Sequence, residues 1–445
     1  MLSQSERRAK RNAVIRALGG NILEVYDYGI YAYFATYIAS AFFPIGSGFL
    51  SLMLSLTTFG IAAIARPFGA IALGSYMDRE GRRAGLLLTL ALMSIGSLAM
   101  AGTPSYAAIG FIAPLLIVFG RLIQGFAYGV ESSGVNIYLA EIATPGNRGF
   151  YMAWQQASQG LTVALSASIG IALARTLSNE QMMSWGWRVP FIIGCVVIPV
   201  LFWLRRSLEE TEVFLKNRHP HRTRDVLRIL TENWPVLSLA LGMWILATTG
   251  FYLTTIYTPI FGGQALHLDP LGNLSVTICA GLSAFIGTLL GGTLSDRLGR
   301  WSLVVMASVL ILATAFPAFS WLAAAPSVAR LLTVELWLSF LLAIYLGALS
   351  PLIAELMPGT ARTSGMAIVI SIGSGLFGSF TPAIATLLIE ITGSRAAPAM
   401  WLTLTAAVAL GATLAVKRLA FRSSLEASIE TTSERSALKL KSGHS

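Results

Sequence analysis

Twelve apolar runs, each long enough to cross a lipid bilayer as a helix, dominate this 445-residue sequence. They occur at about 18–43, 49–74, 84–102, 106–130, 150–174, 187–204, 235–259, 272–293, 302–323, 331–352, 364–390 and 397–417. A spanning helix needs about 20 apolar residues, and it satisfies its backbone hydrogen bonds within the segment. The strands of a membrane barrel are shorter and alternate in polarity. The runs therefore predict an all-α membrane protein with twelve transmembrane helices.

The charged residues support this interpretation and set its orientation. Only 12% of the chain is Asp, Glu, Lys or Arg, against about a quarter in soluble proteins. Of the 31 basic residues, 25 lie in the terminal arms and in the connections after even-numbered runs, and four lie in the other connections. Basic residues collect in cytoplasmic loops. We therefore expect both termini in the cytoplasm, the inner membrane as location, and no nucleic-acid partner despite a net charge of +10.

A polar stretch in the middle of the chain separates six runs from six. We predict five parts: a cytoplasmic arm at 1–17, a six-helix bundle at 18–204, a cytoplasmic linker at 205–234, a second six-helix bundle at 235–417 and a polar cytoplasmic tail at 418–445. Membrane transporters are commonly built from two duplicated halves. The division is therefore typical of a transporter.

Two motifs recur in both halves of the chain. The pattern Gly-x-x-x-Asp-Arg-x-Gly-Arg begins at Gly74 and again at Gly292, 218 positions later. A glutamate followed seven residues on by an arginine occurs at Glu141 and again at Glu355, 214 positions later. Two independent features at nearly the same offset indicate an internal duplication.

These features resemble the major facilitator superfamily, which has a 6+6 helix architecture and this loop motif. Three stretches, at 20–44, 120–150 and 185–214, are similar to its metabolite:proton symporter family. Within that family the segments SLMLSLTTFG, YLAEIATPGNRGFY and TPAIATLLIEITG resemble the citrate–proton symporters and tricarballylate carriers. The chain departs from the family at Val25, where an aromatic residue is frequent, and at Trp301, where a second basic residue is usual.

The resemblance implies a secondary transporter that takes up citrate or a related tricarboxylate with protons by alternating access. Other members carry 2-oxoglutarate, shikimate, or proline and betaine, so these cargoes stay open, as do an uncoupled facilitator and a membrane sensor. The chain has no nucleotide-binding loop and no hydrolase or metalloprotease motif. We expect no enzyme activity, no cofactor and no metal. The expected partners are a small carboxylate, protons and the bilayer, with the protein functional as a monomer.

Charged side chains inside a span cost about 2.5 to 3.5 kcal/mol each, so each needs a reason to be there. None of the four histidines falls in a run, so proton coupling must depend on carboxylates. The leading candidates are Asp27 and Glu131, followed by Glu24. Arg121 is the expected partner, although a fixed ion pair between helices is the alternative. In the second half Glu335 and Glu390 are placed near the outer ends of their runs. We therefore expect the ionisable chemistry in the first half.

An anionic substrate needs cations, and Arg66 and Arg121 are the only basic residues of the sequence predicted at membrane depth. Guanidinium groups bind carboxylates with two parallel hydrogen bonds. Uncharged donors would complete the site, and the candidates are Asn21, Tyr31, Gln124, Gln155, Gln156 and Tyr252. Hydrogen bonding between helices is the alternative role for each of them, and a structural role is the alternative for Arg66.

The repeated loop motif predicts a different function at the cytoplasmic face. An aspartate there can accept hydrogen bonds from the N-terminus of a helix, and the arginines can pair across the seam between the halves. The resemblance implies that this cytoplasmic latch holds the outward-open state, and its residues are Asp78, Arg82, Arg83, Asp296 and Arg300. Charges that only set the topology are the alternative.

Overall fold

The structure is a computed structural model that describes residues 14–419 except for 16–17, 19–20, 23–24, 28, 81, 145, 207–227, 229–230 and 358–361. The tail from 420 onwards, residues 1–13 of the predicted arm and most of the predicted linker lie outside the described residues. So does Glu24. For some residues the structure describes the helix but not the side chain, and Asp78, Arg82, Arg83 and Glu131 are among them. The roles expected for these five residues stay predictions.

The first half of the described chain is built from six long helical segments. They are α1 (21–22, 25–27, 29–33 and Ala35–Phe42), α2 (Gly48–Ile61, the 3₁₀ turn Ala62–Ala65 and Arg66–Glu80), α3 (Arg82–Gly102), α4 (Ile112–Ile142), α5 (Arg148–Thr176) and α6 (Val189–Arg206). Short turns of helix, Tyr106–Ile109, Asn179–Ser184 and the 3₁₀ turn Gly186–Arg188, lie in the connections. Local sequence explains several starts. Ser47 caps α2 by accepting a hydrogen bond from the backbone N–H of Leu50.

The second half repeats this arrangement, with interruptions in two helices. The segments are α7 (Trp234–Phe251, the π-helical Tyr252–Ile256, Thr258–Ile260 and the π-helical Phe261–Ala265), α8 (Pro270–Leu298), α9 (Arg300–Ala324), α10 (Val328–Leu356), α11 (Arg362–Ile372, the π-helical Gly373–Gly378 and Thr381–Thr392) and α12 (Pro398–Leu419). The side chain of Asp269 caps α8, whose first residue is a proline, and proline fits a first helical position because its missing N–H would be unpaired there anyway. π-Helical turns are rare and are found frequently at functional sites.

The lengths and compositions of these helices are those of a membrane protein. Nine helices among the described residues are long and apolar enough to cross a bilayer, and the apolar helices 87–102 and 186–200 are shorter. No residue in the described ranges lies in a β-strand. The prediction of an all-helical fold is confirmed. The count of twelve spans stays a prediction, because α1 is only partly described and two apolar helices are short.

Polarity in this fold is the reverse of that in a soluble protein. The large apolar side chains of Phe68, Phe111, Val196 and Ile391 are each at least 66% exposed. Buried positions include arginine, asparagine and glutamine side chains. An exterior of this kind is stable in hydrocarbon, whereas polar groups there would lack hydrogen-bond partners. The buried polar side chains are therefore the candidates for a functional site.

The two halves face each other along α5 and α8 and along α2 and α11. Gly160 of α5 opposes Gly281 of α8, and a Cβ atom on either residue would lie 2.6 Å from the carbonyl oxygen of the other. Only glycine permits two helices to approach this closely. On the second seam Gly375 of α11 approaches the backbone of Ala63 in α2. Since both seams join one half to the other, they set the boundaries of the space between the halves.

We name the two ends of the molecule by their connections. The basic face carries the connections α2–α3, α4–α5 and α8–α9, and the opposite face carries α1–α2 and α7–α8. About one helical turn from Tyr252 toward the opposite face, the Tyr33 hydroxyl donates to the carbonyl of Thr255 (3.3 Å), and at the basic face Asp296 contacts the start of α5. Polar contacts therefore join the halves at more than one depth.

Candidate substrate and proton site

A small cavity lies between the halves at the middle of the helices. Its volume is about 30 Å³, which holds a water molecule or two. Its polar lining residues are Tyr128, Gln155, Gln156, Gln159, Trp244, Thr248, Tyr252 and Ser374. Two helices of the first half, α4 and α5, and three of the second, α7, α10 and α11, thus meet around a volume too small for a metabolite.

Arg66 supplies positive charge beside this cavity. It begins the last part of α2 and its side chain is 0% exposed. The guanidinium carbon lies 4.0 Å from the ring centre of Tyr128, and Nη2 donates to the Tyr252 hydroxyl at 3.5 Å. Both tyrosines line the cavity. A buried guanidinium next to two tyrosines that line the cavity is a group of the kind that binds carboxylates.

The second buried arginine belongs to a separate network. Arg121 Nη1 donates to Gln124 Oε1 (2.9 Å), and Gln124 Nε2 donates to Asp27 Oδ2 (3.4 Å) and to Ser97 Oγ (3.1 Å). The Ser97 hydroxyl also donates to Asp27. Asp27 further lies close to Gly194 of α6, where a Cβ atom would be 2.9 Å from Oδ1. The carboxylate is therefore held inside the first bundle, among α1, α3, α4 and α6.

A row of aromatic rings connects the two arginines. Arg121 lies 4.5 Å from the ring centre of Tyr31, and the ring centres of Tyr31 and Phe59 are 5.9 Å apart. Phe59 lies 6.0 Å from Tyr252, which hydrogen-bonds Arg66. Along α4, Arg121 and Tyr128 are seven residues apart, which is about 10 Å. The two cations thus occupy different depths, with aromatic rings between them.

A third polar group fastens α1 to α5. Asn21 Nδ2 donates to Ser158 Oγ (2.7 Å) and to the carbonyl of Gln155 (3.2 Å), and Gln155 Nε2 donates back to Asn21 Oδ1 (3.2 Å). Asn136 of α4 donates to Gln155 Oε1 (3.4 Å). Gln155 also lines the cavity. The three amide side chains therefore hold α1, α4 and α5 together, and the side chain of Gln155 also reaches the central cavity.

The structure divides the sequence-predicted substrate residues into two sets. Gln155, Gln156 and Tyr252 line the cavity, and Arg66 contacts two of its lining tyrosines. The residues placed in the neighbouring networks are Asn21, Tyr31, Gln124 and Arg121. Gln156 accepts a hydrogen bond from Gln159 (2.8 Å), so these two cavity residues are already paired.

Sequence reasoning missed several residues at these positions. Tyr128 had a detectable signal, because Arg121, Gln124 and Tyr128 follow the spacing i, i+3, i+7 and so share one face of α4. Ser97 and Ser374 are isolated small polar residues in apolar runs. Such residues usually hydrogen-bond their own helix, and nothing in the sequence distinguishes them.

One buried carboxyl group lies in the second half, outside the half in which the sequence predicts the ionisable chemistry. Glu335, placed by its run near the outer end of a span, is 1% exposed and lies inside the second bundle. The reason is that α10 begins at Val328, so Glu335 is two helical turns from its start and faces the neighbouring helices. Buried ionisable side chains are therefore present in both halves.

At the basic face one copy of the repeated loop joins the two halves. Asp296 of α8 accepts hydrogen bonds from the backbone N–H groups of Gly149 (2.9 Å) and Phe150 (3.1 Å) at the start of α5. Arg300 lies 3.5 Å from Asp296 and pairs with Glu355. A carboxylate at a helix N-terminus is stabilised by the helix dipole and by the unpaired N–H groups. This contact crosses from one half to the other.

Known proteins with similar sequences are transporters. The family model of the Major Facilitator Superfamily matches residues 18–367. A citrate-proton symporter of Salmonella typhi is 45% identical, covering 90% of this chain and 92% of that protein, and one of Klebsiella pneumoniae is also 45% identical, covering 91% of each. A proline/betaine transporter of Salmonella typhimurium is 29% identical over 93% of this chain and 84% of that protein.

Solved structures agree on the fold. A crystal structure of a D-xylose-proton symporter aligns with a TM-score of 0.74 at 19% identity, covering 90% of this chain and 95% of the other. At that identity the likeness concerns the fold alone. Together with the match to the family model and the two relatives at 45% identity, it establishes the classification. The chain belongs to the major facilitator superfamily and, within it, to the metabolite:proton symporters.

Proposed function

We propose that this chain is a proton-coupled symporter that takes up citrate or a closely related tricarboxylate by alternating access. The observation that carries the proposal is the 45% identity to two citrate-proton symporters over at least 90% of the chain. Arg66 supports it, because a buried guanidinium beside a central cavity suits a carboxylate cargo. No enzyme activity is expected of a molecule of this design.

The membrane arrangement is part of the same proposal. Twelve spans form two bundles, at 18–204 and 235–417, joined by a linker at 205–234, and the arm at 1–17 and the tail at 418–445 lie with it in the cytoplasm. The basic face is then the cytoplasmic face, because basic residues collect on that side. The protein functions as a monomer in the inner membrane, with no nucleic-acid partner. Bacterial relatives support that location.

In the proposed substrate site Arg66 binds one carboxylate of the cargo. Gln155, Gln156 and Tyr252, together with Tyr128 and Ser374, supply uncharged donors from both halves. The cavity of about 30 Å³ is too small for citrate, which has 13 non-hydrogen atoms. Binding then requires the halves to separate along one of their seams.

Proton coupling is assigned to Asp27, with Glu131 and Glu24 as further candidates. Gln124 bonds both Asp27 and Arg121. A neutral amide between them lets the carboxyl gain or lose a proton without breaking a direct ion pair. Arg121 acts here as the electrostatic partner of Asp27, and Arg66 acts as the binding cation.

The proposed latch at the basic face holds the halves together while the opposite face opens. Asp296 and Arg300 form its described part, and Asp78, Arg82 and Arg83 are assigned to it from the repeated motif. The contact is polar and lies at the end of the helices, so it can break and reform at low cost. An exchange of this kind is what alternating access needs.

The test of the proposed function is uptake by purified protein in lipid vesicles. Labelled citrate should accumulate against its gradient when the outside is acid, and unlabelled citrate and tricarballylate should compete. The relative at 29% identity gives the rival cargo, proline or betaine. Competition by proline, with none by citrate, would replace the proposed cargo and leave the transporter assignment in place.

A further inference from the structure

A buried carboxyl group in the second half has no part in the function proposed above. Glu335 is 1% exposed, and its Oε2 atom has no hydrogen-bond partner among the described residues. Ser339, one helical turn further along α10, is also buried, and its hydroxyl has no partner in that part of the chain. An unpaired carboxylate oxygen at such a position is costly, whereas a protonated carboxyl costs much less.

The hydroxyl group beside this carboxyl group has one hydrogen but two possible acceptors. Thr258 of α7 lies within hydrogen-bonding reach of Glu335 and also bonds the carbonyl of Thr254 (2.8 Å). A hydroxyl donates only one hydrogen. An ionised Glu335 therefore competes with the α7 carbonyl for it. A protonated Glu335 brings its own hydrogen, donates to the Thr258 oxygen and leaves the bond to Thr254 intact.

This competition takes place in the most irregular part of α7. Two π-helical segments, Tyr252–Ile256 and Phe261–Ala265, flank Thr258. The first segment contains Tyr252, which bonds Arg66 beside the cavity, and the carbonyl of Thr255, which accepts from Tyr33 of α1. A change in the hydrogen bonding of this segment is thus placed to act on both the cavity and the Tyr33–Thr255 contact between the halves.

Among the described residues, Glu335 forms no ion pair with another side chain. The other charged or titratable side chains toward the opposite face, on the described parts of α7 to α10 and their connections, are Tyr257, His267, Asp269, Cys279 and Arg330. Asp269 caps α8 and Arg330 donates to the carbonyl of Trp321 (2.8 Å). Both are therefore engaged elsewhere. Thr258 is the polar side chain that lies beside the carboxyl group.

We propose that Glu335 is a second proton-binding residue of the transport cycle, whose protonation controls the outer part of α7. The carboxylate takes one proton from water when the opposite face is open and returns it to water when the basic face is open. No other bond is made or broken. This inference rests on the proposed proton-coupled function and extends it to the second half.

The experiment counts protons per cargo in vesicles that contain the full-length protein and a pH-sensitive dye. Labelled citrate uptake and internal acidification are measured together with the outside one pH unit more acid. Glu335→Gln should move one proton fewer per citrate than wild type and accumulate about tenfold less at steady state, because one pH unit per proton is a factor of ten. Citrate exchange without a gradient should persist in this variant.

The matched control is Glu390→Gln, which neutralises an exposed glutamate near the same end of the second half. It should leave the ratio of protons to citrate unchanged. An unchanged ratio in Glu335→Gln as well would overturn the inference while leaving the proposed function intact. Absence of both citrate uptake and acidification in wild type would instead refute the proposed function.

A second variant covers the case in which Glu335→Gln loses exchange as well. Thr258→Val keeps the carboxyl group and the side-chain volume but removes the neighbouring hydroxyl. Both the protonated and the ionised carboxyl then lose a hydrogen-bond partner, of different strength in the two states, so the pH at which uptake is half-maximal should shift. An identical pH profile for Thr258→Val and wild type would contradict the role of Glu335.

Discussion

Replacement of Arg66 by lysine tests whether this residue binds the cargo. Its guanidinium is 0% exposed, stacks 4.0 Å from the Tyr128 ring and donates to Tyr252. Lysine keeps the positive charge but cannot form two parallel hydrogen bonds to one carboxylate. One lost hydrogen bond to a charged group costs about 1.5 to 3 kcal/mol. The KM for citrate should therefore rise about 10- to 150-fold in Arg66→Lys.

The assay is initial citrate uptake by proteoliposomes over a range of citrate concentrations, with thermal stability measured in parallel. Arg330→Lys is the matched control, because Arg330 also stacks on an aromatic ring, at 4.6 Å from Trp321, but is only partly buried and lies toward the opposite face. It should leave KM unchanged. A purely structural Arg66 would lower the stability of Arg66→Lys with no change in KM, and that result would refute the assignment.

Three further predictions concern coupling, the latch and the seam. Asp27→Asn should abolish accumulation against a gradient but keep citrate exchange, because the buried position stays polar but can no longer carry a proton; loss of neither activity would place coupling elsewhere. Asp296→Asn should weaken closure of the basic face by about 1 kcal/mol, or about fivefold, because a helix N-terminus loses its charged acceptor. The measurement is the quenching of protein fluorescence by a quencher added on that side. Equal quenching in the variant and in wild type would count against the latch. Gly281→Val should prevent close packing, since its Cβ would lie 2.6 Å from the Gly160 carbonyl oxygen, and transport at the wild-type rate would show that the seam does not need to close.

The positions of the helices can be predicted from the sequence, because an apolar run inside a bilayer must satisfy its own backbone hydrogen bonds and therefore forms a helix. The run at 272–293 lies within α8, Pro270–Leu298. The run at 106–130 is less regular, since Gly110 has a positive φ of 58° and separates Tyr106–Ile109 from α4. The π-helical turns in α7 and α11 could not be predicted, because their hydrogen bonds depend on neighbouring helices rather than on local sequence.

The candidate site is less accessible to sequence reasoning. Asp27 and Arg121 belong to one network, as their types and depths suggest, but Gln124 stands between them. Which cation faces the cavity depends on the packing of aromatic rings around each arginine, and a single sequence does not contain that information. Glu335 shows the same limit, because its burial depends on where α10 begins.

The most direct test of the central claim is citrate uptake by purified protein in vesicles with an imposed pH difference and no other energy source. An acid exterior should drive labelled citrate above its external concentration and acidify the interior at the same time, and collapse of the pH difference should release it. Equilibration of citrate without accumulation, or accumulation without proton entry, would contradict a proton-coupled citrate symporter.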